Sequence, residues 1–108
     1  MPIHNKLVRD LIPQVIERTG KPFSTRILDE NEYIKELKKK SFEELQEYIS
    51  AENDDHAIEE LADLLEIILA LAKYHGASFE KVEEIRRKKA EKRGGFNEKI
   101  FLIEVEDE

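Results

Sequence analysis

The chain has 108 residues, a length typical of one domain, and we expect residues 1–108 to form a single domain. Its 25 acidic and 18 basic residues give a net charge of −7, which argues against a protein that binds a nucleic acid polymer through its phosphates. The absence of cysteine excludes disulfides, thiol catalysis and cysteine-containing zinc sites.

The N-terminal residues carry no apolar segment of the kind that opens a secretory signal, and we therefore expect a cytoplasmic protein. A first short helix is predicted over 10–19, with Pro13 in its first turn and Gly20 at its end. Its apolar residues at helical spacing are Leu11, Ile12, Val15 and Ile16. The following residues, 22–28, alternate weakly between apolar and polar and could be extended.

Three longer helices are predicted after this segment, over 30–50, 56–75 and 79–93. The stripe of the second helix consists of Ile34, Leu37, Ser41, Leu45 and Tyr48. N-caps for the third helix are available at Asn53, Asp54 and Asp55, and Ser78 is placed to cap the fourth.

Short connections between these helices favour antiparallel neighbours, so we expect an all-α, antiparallel four-helix bundle-type core. After Gly94 and Gly95, which end the fourth helix, the apolar residues of 100–105 indicate a short terminal strand. This strand could pair with 22–28.

The third helix contains an unusually apolar segment, 61–72, in which ten of twelve residues are apolar. The segment is too short, and with Asp63 and Glu66 too charged, to span a membrane. A helix that is apolar on nearly all sides must be buried on several of them, which four helices alone can hardly achieve. We therefore expect a homodimer or homotetramer.

Two pairs of acidic residues stand out from the many acids of these helices. Glu44 and Glu47 lie three residues apart on the second helix, and Glu60 and Asp63 repeat that spacing on the third. Glu60 also falls in line with the apolar residue Ile67, where a carboxylate is costly to bury without a positive partner.

Each pair has a simpler interpretation. Ser41 and Glu44 could form a capping box if the second helix is interrupted at Ser41. Glu60 and Asp63 could be acids of the first helical turn, favoured by the helix dipole. Neither interpretation accounts for two such pairs on consecutive antiparallel helices.

Four carboxylates that converge between two helices favour a hard cation with oxygen ligands, and we predict Mg²⁺, with Mn²⁺ as the alternative. A carboxylate-bridged di-iron site would require Glu-x-x-His motifs, which the chain lacks. The three histidines, His4, His56 and His75, are too scattered for a zinc site and are read as loop or helix-end residues.

The end of the fourth helix, 86–93, carries six basic residues and one acidic residue. Three of the bases, Arg86, Lys89 and Arg93, prolong the apolar face of this helix. They could simply extend to the surface along that face, or they could neutralise a polyphosphate bound to a metal held by the carboxylates.

Two parts of the sequence together resemble a known superfamily. Glu43-Glu44-x-x-Glu47, followed after twelve residues by Glu60-x-x-Asp63, resembles the metal-binding pattern of MazG-like all-α nucleoside triphosphate pyrophosphohydrolases. This superfamily includes the phosphoribosyl-ATP pyrophosphohydrolases. The opening segment from Asn5 to Pro13 and the late Arg93-Gly94-Gly95-Phe96 look like those of small single-domain MazG-related proteins.

The resemblance implies that Glu44, Glu47, Glu60 and Asp63 hold Mg²⁺. Glu43 is a further acid of the family pattern that could assist the attacking water, together with Glu44, although its helical angle points away from the apolar edge near Glu44. The basic residues expected to bind substrate are Arg86, Lys89, Arg93, Lys6 and Arg9. For Lys6 and Arg9, pairing with acids of the protein itself is an equal alternative.

The implied activity is Mg²⁺-dependent hydrolysis of nucleoside triphosphates between the α and β phosphates, giving a monophosphate and pyrophosphate, with nucleotide-pool house-cleaning as the role. Phosphoribosyl-ATP is the alternative substrate. A protein that keeps the fold but only binds nucleotides or forms helical oligomers is the non-catalytic alternative.

Overall fold

The computed structural model describes residues 2–107, which form four helices: α1 (Ile12–Glu17), α2 (Glu30–Ile49), α3 (Asp54–Tyr74) and α4 (Phe79–Arg93). The predicted all-α class is confirmed. The three long helices begin and end within two residues of the predicted bounds, whereas α1 is shorter at both ends than the predicted 10–19.

A side-chain cap fixes the start of each long helix. Asp29 accepts a hydrogen bond from the backbone N–H of Glu32 (2.9 Å) at the start of α2. The predicted caps at Asn53 and Ser78 are both present, at 2.8 Å and 3.2 Å from the backbone nitrogens that donate to them. These bonds satisfy N–H groups that have no partner within a helix.

Ser41 does not start a helix, so the capping-box interpretation of Glu44 is wrong. Helix α2 runs unbroken through this position, and the Ser41 hydroxyl donates to the carbonyl of Lys38 (2.6 Å). The first-turn interpretation of Glu60 and Asp63 is also wrong, because α3 already begins at Asp54.

Helices α2 and α3 form an antiparallel pair joined by residues 50–53. Tyr33, near the start of α2, contacts Tyr74 at the end of α3, with ring centroids 6.4 Å apart. Leu37 and Ile67 are buried. Helix α4 packs against α3. The pair α2–α3 therefore forms the centre of the described fold.

Each helix of this pair carries a second apolar stripe that faces away from its partner. We call these the outer stripes; they comprise Phe42, Leu45 and Ile49 on α2, and Ile58, Leu61, Leu65 and Ile68 on α3. Their side chains are 37–74 % exposed. Neither helix can bury both of its stripes within the chain as described.

The expected strand pairing is wrong: residues 2–107 contain no strand. Side chains of both segments stand in solvent, with Ile27 95 % exposed and Ile103 86 % exposed. An isolated two-stranded ribbon with its apolar side chains in solvent is barely stable in water.

No helix within residues 2–107 is long and apolar enough to cross a membrane.

Candidate functional site

Two charged side chains are buried within residues 2–107, Glu44 on α2 and Glu60 on α3. The two helices face each other. Each of the two residues is 8 % exposed. Glu44 lies on the same face of α2 as Leu37, and Glu60 lies on the same face of α3 as Ile67, because residues seven apart in a helix share a face. The antiparallel packing of α2 on α3 brings the two carboxylates together.

Glu47 adds a third carboxylate. One oxygen from each of Glu44, Glu47 and Glu60 lies within 4.8 Å of the others. The structure therefore brings together three of the four acids that the sequence predicts as metal ligands. Glu47 is exposed and opens the cluster to solvent on one side. We call these three residues the carboxylate cluster.

Two oxygens of the carboxylate cluster are buried without a hydrogen-bond partner, namely Oε2 of Glu44 and Oε2 of Glu60. Buried carboxylate oxygens are costly unless they are paired or coordinate a metal. Three oxygen donors at short mutual distances fit a hard divalent cation. The cluster could therefore hold a metal ion.

Repulsion within the cluster is visible in the protonation of Glu44. Burial, the negative charges of Glu47 and Asp63, and the neighbouring Glu60 carboxyl together raise the pKa of Glu44 to about 7, with burial the largest cause. Lys40 opposes this rise only weakly. This crowding disfavours full negative charge on the cluster and favours a bound proton or a bound cation.

Asp63 lies beside the carboxylate cluster but is paired with the N-terminal segment. A guanidinium nitrogen of Arg9 lies 2.7 Å from Oδ1 of Asp63. Of the two roles predicted for Arg9, the structure shows pairing with an acid of the protein. Asp63 is still close enough to contribute to the raised pKa of Glu44.

Glu43 lies outside the carboxylate cluster, as its helical angle predicts. Its side chain is partly exposed, and its carboxylate lies 3.7 Å from the ammonium of Lys40. The structure thus gives Glu43 a partner on its own helix and places it one position from Glu44.

His56 contacts the carboxylate cluster, which its reading as a loop or helix-end residue did not predict. Its Nε2 lies 3.2 Å from Oε1 of Glu60, one helical turn further along α3. The spacing of four residues between His56 and Glu60 was the available signal, because such residues are neighbours on a helix surface.

The basic residues expected at the substrate are not bonded to the carboxylate cluster. Arg86 is bonded to Glu83 on its own helix, with Nε 2.9 Å from the carboxylate. Lys6, Lys89 and Arg93 are exposed and form no ion pair within residues 2–107. In the described residues no hydrogen bond or ion pair joins Lys6, Arg86, Lys89 or Arg93 to the carboxylate cluster, so their contact with substrate stays a prediction.

A family model described as phosphoribosyl-ATP pyrophosphohydrolase matches residues 5–90 of the chain. The matched part includes the N-terminal segment, the carboxylate cluster and most of α4. No curated protein and no solved structure gives a match.

Proposed function

Because the chain belongs to the phosphoribosyl-ATP pyrophosphohydrolase family, it is a pyrophosphohydrolase that acts on a phosphoric anhydride bond of a nucleotide, and we propose that its substrates are nucleoside triphosphates. Cleavage between the α and β phosphates would give a nucleoside monophosphate and pyrophosphate. The likeness of the opening segment to small single-domain MazG-related proteins supports this substrate class.

Phosphoribosyl-ATP is the second candidate substrate, and the description of the matching family favours it. It offers the same phosphoric anhydride bond between its α and β phosphates. The two candidates therefore differ in the group attached to the nucleotide, and not in the chemistry at the carboxylate cluster.

The pair of buried, unpartnered oxygens on Glu44 and Glu60 is the observation that carries the proposal. We assign Mg²⁺ to these two residues together with Glu47, with Mn²⁺ as the alternative, since both prefer oxygen ligands. Asp63 completes the set once it leaves Arg9. When bound, the cation supplies positive charge to the phosphate oxygens and acidifies water.

The chain itself supplies the proton acceptor. A carboxylate of the site takes the proton of the attacking water, and Glu44 is our first assignment because it is buried and its pKa is raised to about 7, near the working pH. Glu43, one position away and partly exposed, is the second. No side-chain nucleophile is required.

Positive side chains complete the proposed site by offsetting the charge of the departing pyrophosphate. We assign this role to Arg86, Lys89 and Arg93 of α4 and to Lys6 and Arg9 of the N-terminal segment. For Arg9 we propose an exchange: its guanidinium pairs with Asp63, and it becomes available to a phosphate when a cation takes its place on Asp63.

The proposed activity predicts pyrophosphate release that depends on Mg²⁺. We expect turnover of at least one member of a panel of standard and damaged nucleoside triphosphates, with monophosphate formed in equal amount and no inorganic phosphate. The panel includes phosphoribosyl-ATP. Turnover of phosphoribosyl-ATP alone would overturn the triphosphate assignment, and binding of nucleotides without any turnover would favour the non-catalytic alternative.

The proposed exchange at Arg9 predicts that substitution of this residue raises KM for the nucleotide. Arg9→Gln should raise KM for the nucleotide by about tenfold, the loss of one charge-assisted phosphate contact of about 1.4 kcal/mol. Arg26→Gln is the matched control, because Arg26 pairs with Glu32 at the start of α2. An unchanged KM in Arg9→Gln would leave Arg9 with its structural pairing only.

We also propose that the chain works as a homodimer or homotetramer. The outer stripes support this, as does the shape of the chain: its radius of gyration is 18.7 Å, whereas about 13 Å is typical of a compact domain of this length. A second copy that covers the outer stripes would remove these exposed apolar side chains from water.

Light scattering during size-exclusion chromatography tests the assembly. We expect a mass of at least twice the 12.7 kDa of the chain. Leu65→Glu, which places a charge within the outer stripe of α3, should lower that mass, whereas Glu66→Gln should not. A wild-type mass of one chain would contradict the proposal.

The single-domain assignment of residues 1–108 and the cytoplasmic location stay predictions. The family match supports the single-domain assignment for residues 5–90.

A further inference from the structure

We propose that His56 is a positioning residue, which holds the Glu60 carboxylate in the orientation that a divalent cation at the carboxylate cluster requires. This inference rests on the proposed function, since it concerns the same cation site. His56 itself contacts neither the cation nor the substrate in this proposal.

The two oxygens of Glu60 have different surroundings. Oε1 accepts a hydrogen bond from Nε2 of His56 at 3.2 Å, whereas Oε2 is buried and has no partner within the described residues. A carboxylate with one oxygen held in this way loses rotational freedom about its last torsion. The unpartnered Oε2 is thereby kept available to a cation, and Glu60 is one of three residues that each bring a carboxylate oxygen within 4.8 Å of the others.

The backbone of His56 is fixed at the start of α3. The backbone N–H of His56 donates to the side chain of Asn53 at 2.8 Å, which fixes the first turn of α3. The His56 side chain is 43 % exposed, so it adds little to the packed core. A line of contacts thus runs from the cap at Asn53 through His56 to Glu60.

A contribution to helix stability is the competing explanation, because residues four apart in a helix often pair with a gain of a few tenths of a kcal/mol. Such a pair would act on the stability of α3 and leave cation affinity unchanged. The burial of Glu60 and its unpartnered second oxygen favour the positioning role.

The proposal is tested by the affinity of the metal-free protein for Mn²⁺ alone at pH 8. Calorimetry or electron paramagnetic resonance measures binding during the titration. His56→Met and His56→Ala both remove the donor, whereas His56→Gln keeps an N–H at a similar reach. We expect the two donor-free variants to bind Mn²⁺ about tenfold more weakly, as is typical when a residue that orients a metal ligand is lost. His56→Gln should remain within threefold of the wild type.

His75→Leu is the matched control, since His75 lies at the opposite end of α3, and helical circular dichroism confirms that each variant folds. Unchanged Mn²⁺ affinity in a folded donor-free variant, or an equal loss in His56→Gln, overturns the role of His56. Two further results separate this proposal from the cation site on which it rests. A wild type that binds no Mn²⁺ contradicts the cation site itself. If Glu60→Gln loses Mn²⁺ affinity and His56→Met does not, only the role of His56 is contradicted.

Discussion

Glu60→Gln is expected to lower Mg²⁺-dependent pyrophosphate release by two to three orders of magnitude. The substitution keeps the size of the side chain and removes the negative charge of a residue that is 8 % exposed and faces Glu44 across the helix pair. A metal that neutralises phosphate charge contributes several kcal/mol to catalysis, and each 1.36 kcal/mol corresponds to about tenfold in rate. Loss of one buried ligand therefore has a large effect.

The measurement compares kcat/KM for the best nucleotide of the panel over a range of Mg²⁺ concentrations. Glu66→Gln is the matched control, because Glu66 lies on the same helix with its side chain exposed. We expect Glu66→Gln to behave as the wild type. Activity of Glu60→Gln within threefold of the wild type at every Mg²⁺ concentration would remove Glu60 from the site and contradict the assigned carboxylate cluster.

The positions of the long helices could be predicted from the sequence because their signals are local. Asn53 and Ser78 precede periodic apolar segments, and each does cap the helix that follows. Gly76 has φ of 79° and follows the last residues of α3, a conformation that other residues rarely adopt. Local chemistry of this kind needs no knowledge of tertiary contacts.

The facing sides of α2 and α3 were only partly predictable. The predicted stripe included Leu45 and Tyr48, which are 42 % and 38 % exposed, whereas Glu44, placed at the edge of that stripe, is buried. Helix α2 has two apolar stripes, and periodicity alone does not indicate which of them meets α3. In the structure, the face of α2 that packs on α3 is the one that carries Glu44, which lies opposite Glu60.

Pairings between distant parts of the chain were the least predictable features. Arg9 and Asp63 are 54 residues apart, and the sequence left pairing and phosphate binding equally open for Arg9. The predicted pairing of 22–28 with 100–105 failed for the same reason. Alternating apolar residues describe a segment that can pair, but they do not supply its partner.

The second large effect concerns the stability of the protein without bound metal, which is expected to fall as the pH rises from about 4.5 to about 7. Burial and the neighbouring acids raise the pKa of Glu44 to about 7 in the folded protein, against 4.5 in its ordinary state. Between these values the folded state binds the proton and the unfolded chain does not. The free energy of unfolding therefore decreases with pH across this window, by on the order of 3 kcal/mol for this group.

Thermal unfolding at fixed protein concentration in the presence of a chelator, at pH 5 and at pH 8, measures this effect. The wild type should be less stable at pH 8, and Glu44→Gln, which cannot release a proton there, should lose much less between the two pH values. A pH dependence of equal size in both proteins would contradict the raised pKa of Glu44.

Cation binding is coupled to the same proton. A cation must displace it from Glu44, so the affinity for Mn²⁺ should increase from pH 6 to pH 8, with the steepest change near the raised pKa. Bound cation should also reverse the loss of stability, because it neutralises the charge that the proton otherwise removes. A wild type whose stability at pH 8 is the same with and without saturating Mg²⁺ would therefore argue against a cation at the carboxylate cluster, since a ligand that binds the folded state must stabilise it.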